Sequence, residues 1–406
     1  MAGTRPPRTS VDHESFRADL RSYLAEHVEP DVDDLDREPL DRDALLRYLA
    51  DLDELGVGFR PDTAEQYLGD VTRYVVCCEE LSRVWPSLNV ALQMSFPSLF
   101  VPVAAEPTRE TMGPKLAAGE CIGCLAVTEP DGGSDTARPR TTARKDGDEF
   151  VIEGEKTWVG NGNVADVALV AAHDESADAR DLFLVDRSYD SYETELLDKL
   201  GWKAVPNARL HLDGVRVPRG NRLSTMIADA IAGSDDLSDV LPFSDSVVRL
   251  FVEHSPLNAM FSFMRTGMAF MAVGIMQAAF DASIDYATEH ETFGEPIAGH
   301  QLIQEKLYDV KCALETSRQL GYHAVDHLAT GSPEARLASS LAKGYACEAA
   351  VDATDDALQV HGAAGLATEN RLERYFRDAR TLTVPDGTTE IQKLVVGKEL
   401  TGVSAY

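Results

Sequence analysis

The spacing of apolar residues changes twice along this chain, and those two changes limit its architecture more than any other feature. From residue 12 to about 120 apolar positions recur at helical intervals, with Phe16, Leu20, Tyr23 and Leu24 set behind acidic neighbours. Residues 75–81 and 88–100 keep that period, and Pro97 predicts a break. From about 121 to 220 the period falls towards two. Residues 149–159 read as a hairpin turning at Glu153-Gly154, while 167–172 and 182–185 are short apolar runs. Leu210, Leu212, Val215 and Val217 alternate with polar residues until Pro218 ends the run. Residues 223–256 form an acidic, ambiguous connector. Helical spacing then returns over 264–286, 300–328, 332–361 and 389–400. The fold expected is mainly α with a central β module. An N-terminal helical domain (1–120) precedes a small β-barrel or sandwich (121–222), the connector (223–256) and a C-terminal four-helix bundle (257–406). No Gly-x-Gly-x-x-Gly follows a strand, which argues against a Rossmann fold.

Charge removes several function classes. The chain has 406 residues and a net charge of −30, with 68 acidic against 38 basic side chains. Nucleic acid and anionic membrane surfaces both need local positive charge, so neither is expected as a partner. Lys is scarce, and the acidity is spread along the whole chain. That pattern suits a halophilic host, where salt screens self-repulsion. The six cysteines, Cys77, Cys78, Cys121, Cys124, Cys312 and Cys347, form no disulfide framework and fit a reducing cytoplasm. Cys121 and Cys124 make a C-x-x-C with no second pair or His cluster, so they read as structural and no metal is expected. The N-terminus has no apolar core for a signal peptide. The longest apolar stretch, 267–279, is short for a bilayer, so no membrane insertion is expected.

The chemistry concentrates in a few segments. Residues 125–135 run Leu125-Ala-Val127-Thr128-Glu-Pro-Asp-Gly-Gly133-Ser134-Asp. The glycines let backbone approach a ligand, and the Thr128 and Ser134 hydroxyls can hold a polar ring or a phosphate. The same composition also fits an ordinary turn. This segment closely resembles the first signature of the acyl-CoA dehydrogenase flavoproteins, and the resemblance extends from about residue 12 to 400. It implies FAD as cofactor, with Leu125, Val127, Thr128, Gly133 and Ser134 against the flavin or its pyrophosphate, and Ser134 also near substrate. Lys156-Thr-Trp158-Val-Gly160 matches the next family motif, in which Trp158 would pack on the flavin beside Gly160. Glu289-His290-Glu-Thr292-Phe293, with Gln301, matches the segment that reaches across a dimer to the other subunit's FAD. Gln359-Val-His-Gly362-Ala363-Ala-Gly365, continuing to Arg374 and Asp378, matches the second signature. Its glycines suit both the neighbour's adenosine diphosphate and a helix C-cap.

Pro385-Asp386-Gly387-Thr388-Thr-Glu390 matches the catalytic-base segment. In the family a carboxylate there removes the α-proton of an acyl-CoA thioester while hydride passes to flavin N5. The resemblance thus makes Asp386 the base and Arg265 its neighbour on the bundle helix. Gly387 joins the substrate contacts, and Thr388 and Glu390 the cofactor contacts. An apolar pocket would raise the base's pKa, and hydrogen bonds to the thioester carbonyl would acidify the α-carbon. Several positions depart from the family pattern. Asp386 replaces Glu and draws the carboxylate back by roughly 1 Å, a misplacement that can cost about a hundredfold in rate. Met264 offers no substitute base. Gly160 lacks a hydroxyl donor, His290 replaces a pyrophosphate arginine, and Ala363 replaces a glycine. The expected function is acyl-CoA dehydrogenation by a homotetramer, a dimer of dimers, that passes electrons to an electron-transfer flavoprotein. A nitroalkane-oxidase-like enzyme using Asp386, or a flavin-binding subunit without activity, are the alternatives. Met264, Met268, Met271 and Met276 read as core.

Overall fold

A computed structural model describes residues 9–233, 242–253 and 256–405. The N-terminal block comprises α1 (Val11–Tyr23), α2 (Glu29–Leu35), α3 (Arg42–Glu54), α4 (Pro61–Leu68), α5 (Val71–Val84), α6 (Pro86–Met94) and α7 (Glu106–Ala117). Ser10 and His13 form a capping box at the start of α1, and the Asp41 and Asp70 carboxylates cap α3 and α5. The break expected at Pro97 is present: α6 ends at Met94 and a 3-10 segment, Phe96–Val103, follows.

The central sheet contains β1 (Gly123–Ala126), β2 (Thr142–Asp146), β3 (Glu149–Val159), β4 (Val167–Asp174), β5 (Ala179–Asp186), β6 (Glu193–Leu196) and β7 (Ala208–Pro218). Its order is β1-β4-β2-β3-β7-β6, with β5 paired antiparallel along β4. β1 and β2 both run parallel to β4, beside its first half and its end. β4 is buried almost throughout and reads as the sheet's core strand. The hairpin expected at Glu153-Gly154 is not there. Residues 149–159 form the single strand β3, and the turn lies earlier, at Gly147-Asp148 between β2 and β3. Gly154 instead follows a register shift at Ile152/Glu153. Its φ is +146°, and a Cβ there would sit 2.6 Å from Thr141 Oγ1. Close strand approach, not chain reversal, explains that glycine.

The segment left ambiguous, 223–256, contains α8 (Leu223–Gly233) and α9 (Asp245–Glu253), and its remainder includes residues outside those described. The C-terminal block is α10 (Pro256–Glu289), α11 (Gln301–Ala329), α12 (Ala335–His361), α13 (Leu372–Leu382) and α14 (Thr389–Thr401). A two-stranded hairpin, β8 (Glu291–Thr292) and β9 (Glu295–Pro296), joins α10 to α11. α10 is longer than its apolar stretch suggested. By length and composition it could cross a membrane, but 94% of its apolar window is buried inside the protein. It is the core helix, and Met264, Met268, Met271 and Met276 lie in its buried face. α10 also meets α5 closely, since a Cβ at Gly274 would fall 2.2 Å from Glu79 O. One apolar core runs through all three blocks.

Candidate active site

Asp386 lies on the turn between α13 and α14. Three helices hold that turn by its carbonyls. Arg265 Nε, from α10, donates to Asp386 O at 3.0 Å. Lys343 Nζ, from α12, donates to Gly387 O at 2.8 Å and Thr383 O at 3.2 Å. Gln392 Nε2, from α14, donates to Asp386 O at 3.0 Å and Gly387 O at 2.9 Å. Asp386 itself has φ +55° and Gly387 +92°. Asp visits this left-handed region more readily than most residues, but it needs such external support to stay there. Burial pushes the Asp386 carboxyl up, and Lys343 and Arg265 pull it back down. A carboxylate raised in this way is a stronger proton acceptor than an ordinary one. Arg265 joins Asp386 as expected, but it touches the main chain, and its Nη1 reaches Ser340 Oγ at 3.4 Å. Thr388 caps α14 by accepting from Ile391 N–H, and Glu390 is exposed in that helix's first turn.

The loop 128–140 and strand β3 form a second unit. Thr157 N–H donates to Thr128 O at 2.9 Å, which brings the first two motifs side by side. Glu129 and Gly132 exchange main-chain bonds and close the Glu-Pro-Asp-Gly turn. Thr128, Val127 and Leu125 are half-buried, and Gly133 and Ser134 are exposed. Trp158 is 57% exposed with φ +60°. An indole left open on a strained strand end lacks the apolar cover such a ring normally finds. A planar heteroaromatic ring would supply it, so these residues fit FAD. Gly160 is buried, and a Cβ there would lie 2.7 Å from Met94 Cγ. Met94 occupies the space a hydroxyl-bearing side chain would need, which accounts for that departure.

The third and fourth motifs converge at the other end of α10. Tyr286 stacks between His290 at 4.7 Å and His361 at 4.3 Å. Ala287, Ile297 and Val360 form a small separate core beneath. This core anchors the β8–β9 hairpin, whose Phe293 and Gly294 both have positive φ, +56° and +86°. Phe293 projects from the tip and is 99% exposed. His290, Gln301, Gln359, Gly362 and Ala363 are also exposed, and Thr292 is half-buried with its hydroxyl 3.2 Å from His300 Nε2. Gly362 terminates α12 with φ +57°, so the C-cap reading of this glycine holds.

Sequence reasoning missed Lys343 and Gln392. Lys343 is fully buried among small residues of α12, with Ser339, Ala342, Ala346 and Cys347 around it. A lysine inside an otherwise alanine-rich buried helical face was the available signal. It also missed Asn161, whose buried Nδ2 donates to Ala91 O at 2.7 Å.

Three family models match the chain: acyl-CoA dehydrogenase N-terminal domain over residues 10–120, middle domain over 124–215 and C-terminal domain over 256–401. The mitochondrial short-chain specific acyl-CoA dehydrogenase of Mus musculus is 31% identical, covering 96% of this chain and 90% of that protein. A cyclohexane-1-carbonyl-CoA dehydrogenase of Geobacter metallireducens is 30% identical over 94% of this chain and 95% of its own. The structure of a glutaryl-CoA dehydrogenase from Mycobacterium smegmatis in complex with FADH2 superposes with a TM-score of 0.79 at 25% identity, covering 98% and 96% of the two chains.

Proposed function

Because the chain belongs to the acyl-CoA dehydrogenase family, whose members are FAD-dependent oxidoreductases, we propose that it desaturates an acyl-CoA thioester with Asp386 as the base. The observation that carries this reading is the Asp386 carboxyl, raised by burial on a left-handed turn that three helices hold. In its ionised form Asp386 takes the α-proton of the thioester. Its own N–H, with Gly387 beside it, serves as a donor to the thioester carbonyl and stabilises the developing enolate. Arg265 holds the Asp386 carbonyl, so the carboxylate is fixed in direction before substrate arrives. Bound FAD supplies the acceptor for the hydride that leaves the β-carbon. The flavin would lie on Trp158 and Thr128, with the Gly133-Ser134 loop around it and Ser134 also near substrate.

A dimer of dimers is proposed as the assembly. The exposed Phe293, with His290, Gln301, Gln359 and Gly362, would complete the flavin site of a second subunit. An electron-transfer flavoprotein is proposed as the electron acceptor. The six free thiols fit a cytoplasmic location, and the charge of −30 fits a high-salt host.

Anaerobic titration of the holoprotein with a panel of acyl-CoA thioesters tests the reading, and bleaching of the flavin by at least one is expected. If none bleaches it and nitroethane drives oxygen consumption instead, the nitroalkane reading replaces this one.

A further inference from the structure

Lys343 places a fully buried ammonium under the base-bearing turn, with no carboxylate hydrogen-bonded to it among the described residues. Its partners are the carbonyls of Thr383 and Gly387, which flank Asp386 on both sides. These two bonds span the turn like a staple, from the end of α13 to the entry of α14. Thr389 N–H closes the same turn onto Thr383 O at 3.2 Å. Burying a charge on neutral acceptors is costly, and burial pulls this ammonium down from its ordinary range. An apolar residue of the same length would avoid that cost, so the charge needs a reason to be there.

We propose that Lys343 is a positioning residue that holds the turn in its left-handed form and keeps a positive charge beside the Asp386 carboxyl. This rests on the reading of Asp386 as base. The charged and titratable groups facing Asp386 come from three helices. They are Tyr74 on α5, Arg265 on α10, and Lys343 and Cys347 on α12, while Glu390 on α14 acts on Lys343. Arg265 already ties the Asp386 carbonyl, so Lys343 is the cation that fixes the rest of the turn. Without it, among the described residues, Gly387 O keeps only Gln392 and Thr383 O keeps only the Thr389 amide.

The test uses FAD-loaded holoprotein and the variants K343M and K343Q. K343M removes both charge and donors at similar length, and K343Q keeps donors without charge. Hydrogen–deuterium exchange of peptides covering 383–392 is expected to rise about tenfold or more in K343M, with the middle of α12 unchanged. Unchanged exchange in that peptide overturns the proposal, whatever the activity. With an acyl-CoA that bleaches the wild-type flavin, the acidic limb of the bleaching rate is expected to move to higher pH in both variants. An unmoved limb overturns the electrostatic half. If K343M does not fold, K343Q alone decides through its limb and its exchange. Asp386→Asn separates the two readings. If that variant keeps activity, the base assignment fails, yet the exchange comparison still decides whether Lys343 holds the turn.

Discussion

Lys156 Nζ lies 2.7 Å from Glu129 Oε1, and this bond joins the strand carrying Trp158 to the loop carrying Thr128 and Ser134. The ammonium is fully buried and also reaches Val127 O at 3.3 Å. Glu129 in turn accepts from Thr141 N–H at 2.9 Å and Arg140 N–H at 2.8 Å. Two segments 27 residues apart are thus one rigid platform.

Glu129→Gln leaves the Lys156 ammonium buried without its counter-charge, which is expected to cost about 3 kcal/mol and to lower FAD retention. Thermal melts and the flavin-to-protein absorbance ratio check both. Hydrogen bonds from Lys156 and the two amides hold the Glu129 carboxyl down at about 2. Its support is therefore complete above the unfolded value of about 4.3 and fades as pH falls towards 2. Burial pulls Lys156 the other way, so the pair contributes less than Glu129 alone would imply.

Asp386→Asn should reduce acyl-CoA turnover by about a thousandfold without lowering the thermal midpoint. Asp386→Glu restores the missing methylene and should keep turnover. Since burial raises the Asp386 carboxyl, the acidic limb of the wild-type rate should lie above the ordinary carboxylate range. A limb at or below that range contradicts the assignment.

Phe293→Ala changes a side chain that is 99% exposed, so one subunit's stability should move by less than about 0.5 kcal/mol. FAD retention and the dimer dissociation constant should worsen by about tenfold if the ring caps a neighbour's flavin site. Analytical ultracentrifugation of apo and holo forms reads this directly, and identical behaviour of the two proteins refutes the cross-subunit role.

A pH effect on stability is expected between the ordinary carboxylate range and neutrality. Asp378 Oδ1 accepts from Trp202 N–H at 2.7 Å, while burial and the charge of Asp36 push its carboxyl up to about 7. A folded value raised above the unfolded one stabilises at low pH and loses that contribution as pH rises through about 7. The thermal midpoint should fall as pH rises from about 4 to about 7 and level off above that in the wild type. Asp378→Asn, which keeps the acceptor, should flatten that dependence.

Salt should stabilise the protein. With a net charge of −30, raising KCl from about 0.1 to about 2 M screens repulsion over nearly the whole surface. The thermal midpoint is expected to rise, and a fall would contradict the high-salt reading.

The helix–sheet–helix order was legible because periods of 3.6 and 2 leave strong marks over long segments. Gly154 misled because a glycine at a strand crowding point looks the same in sequence as one in a turn; only the approach of Thr141 tells them apart. Asp386 and Arg265 were visible only through family wording, since nothing local pairs residues 121 positions apart. Gln392 acts on carbonyls, which every residue has, so no spacing betrays it, and Lys343 shows only as a lysine on an alanine-rich helical face. The helix α13 was passed over in a short polar-rich segment, although its buried Leu372, Tyr375, Ala379 and Leu382 follow a helical stripe.

That helix also ties together segments far apart in the sequence. Arg374 Nη1 pairs with Asp33 Oδ1 at 2.9 Å, across 341 positions, and Asp378 fixes the Trp202 loop across 176. A ribosome adding about 5–20 residues per second delivers α13 tens of seconds after α2 has emerged. Until then Asp33 and Glu29 lack the arginines that pair with them, and the Trp202 loop lacks its Asp378 contact. Folding of this enzyme consequently cannot close before α13 has been made, and deletion of α13 should produce aggregation rather than a smaller working protein.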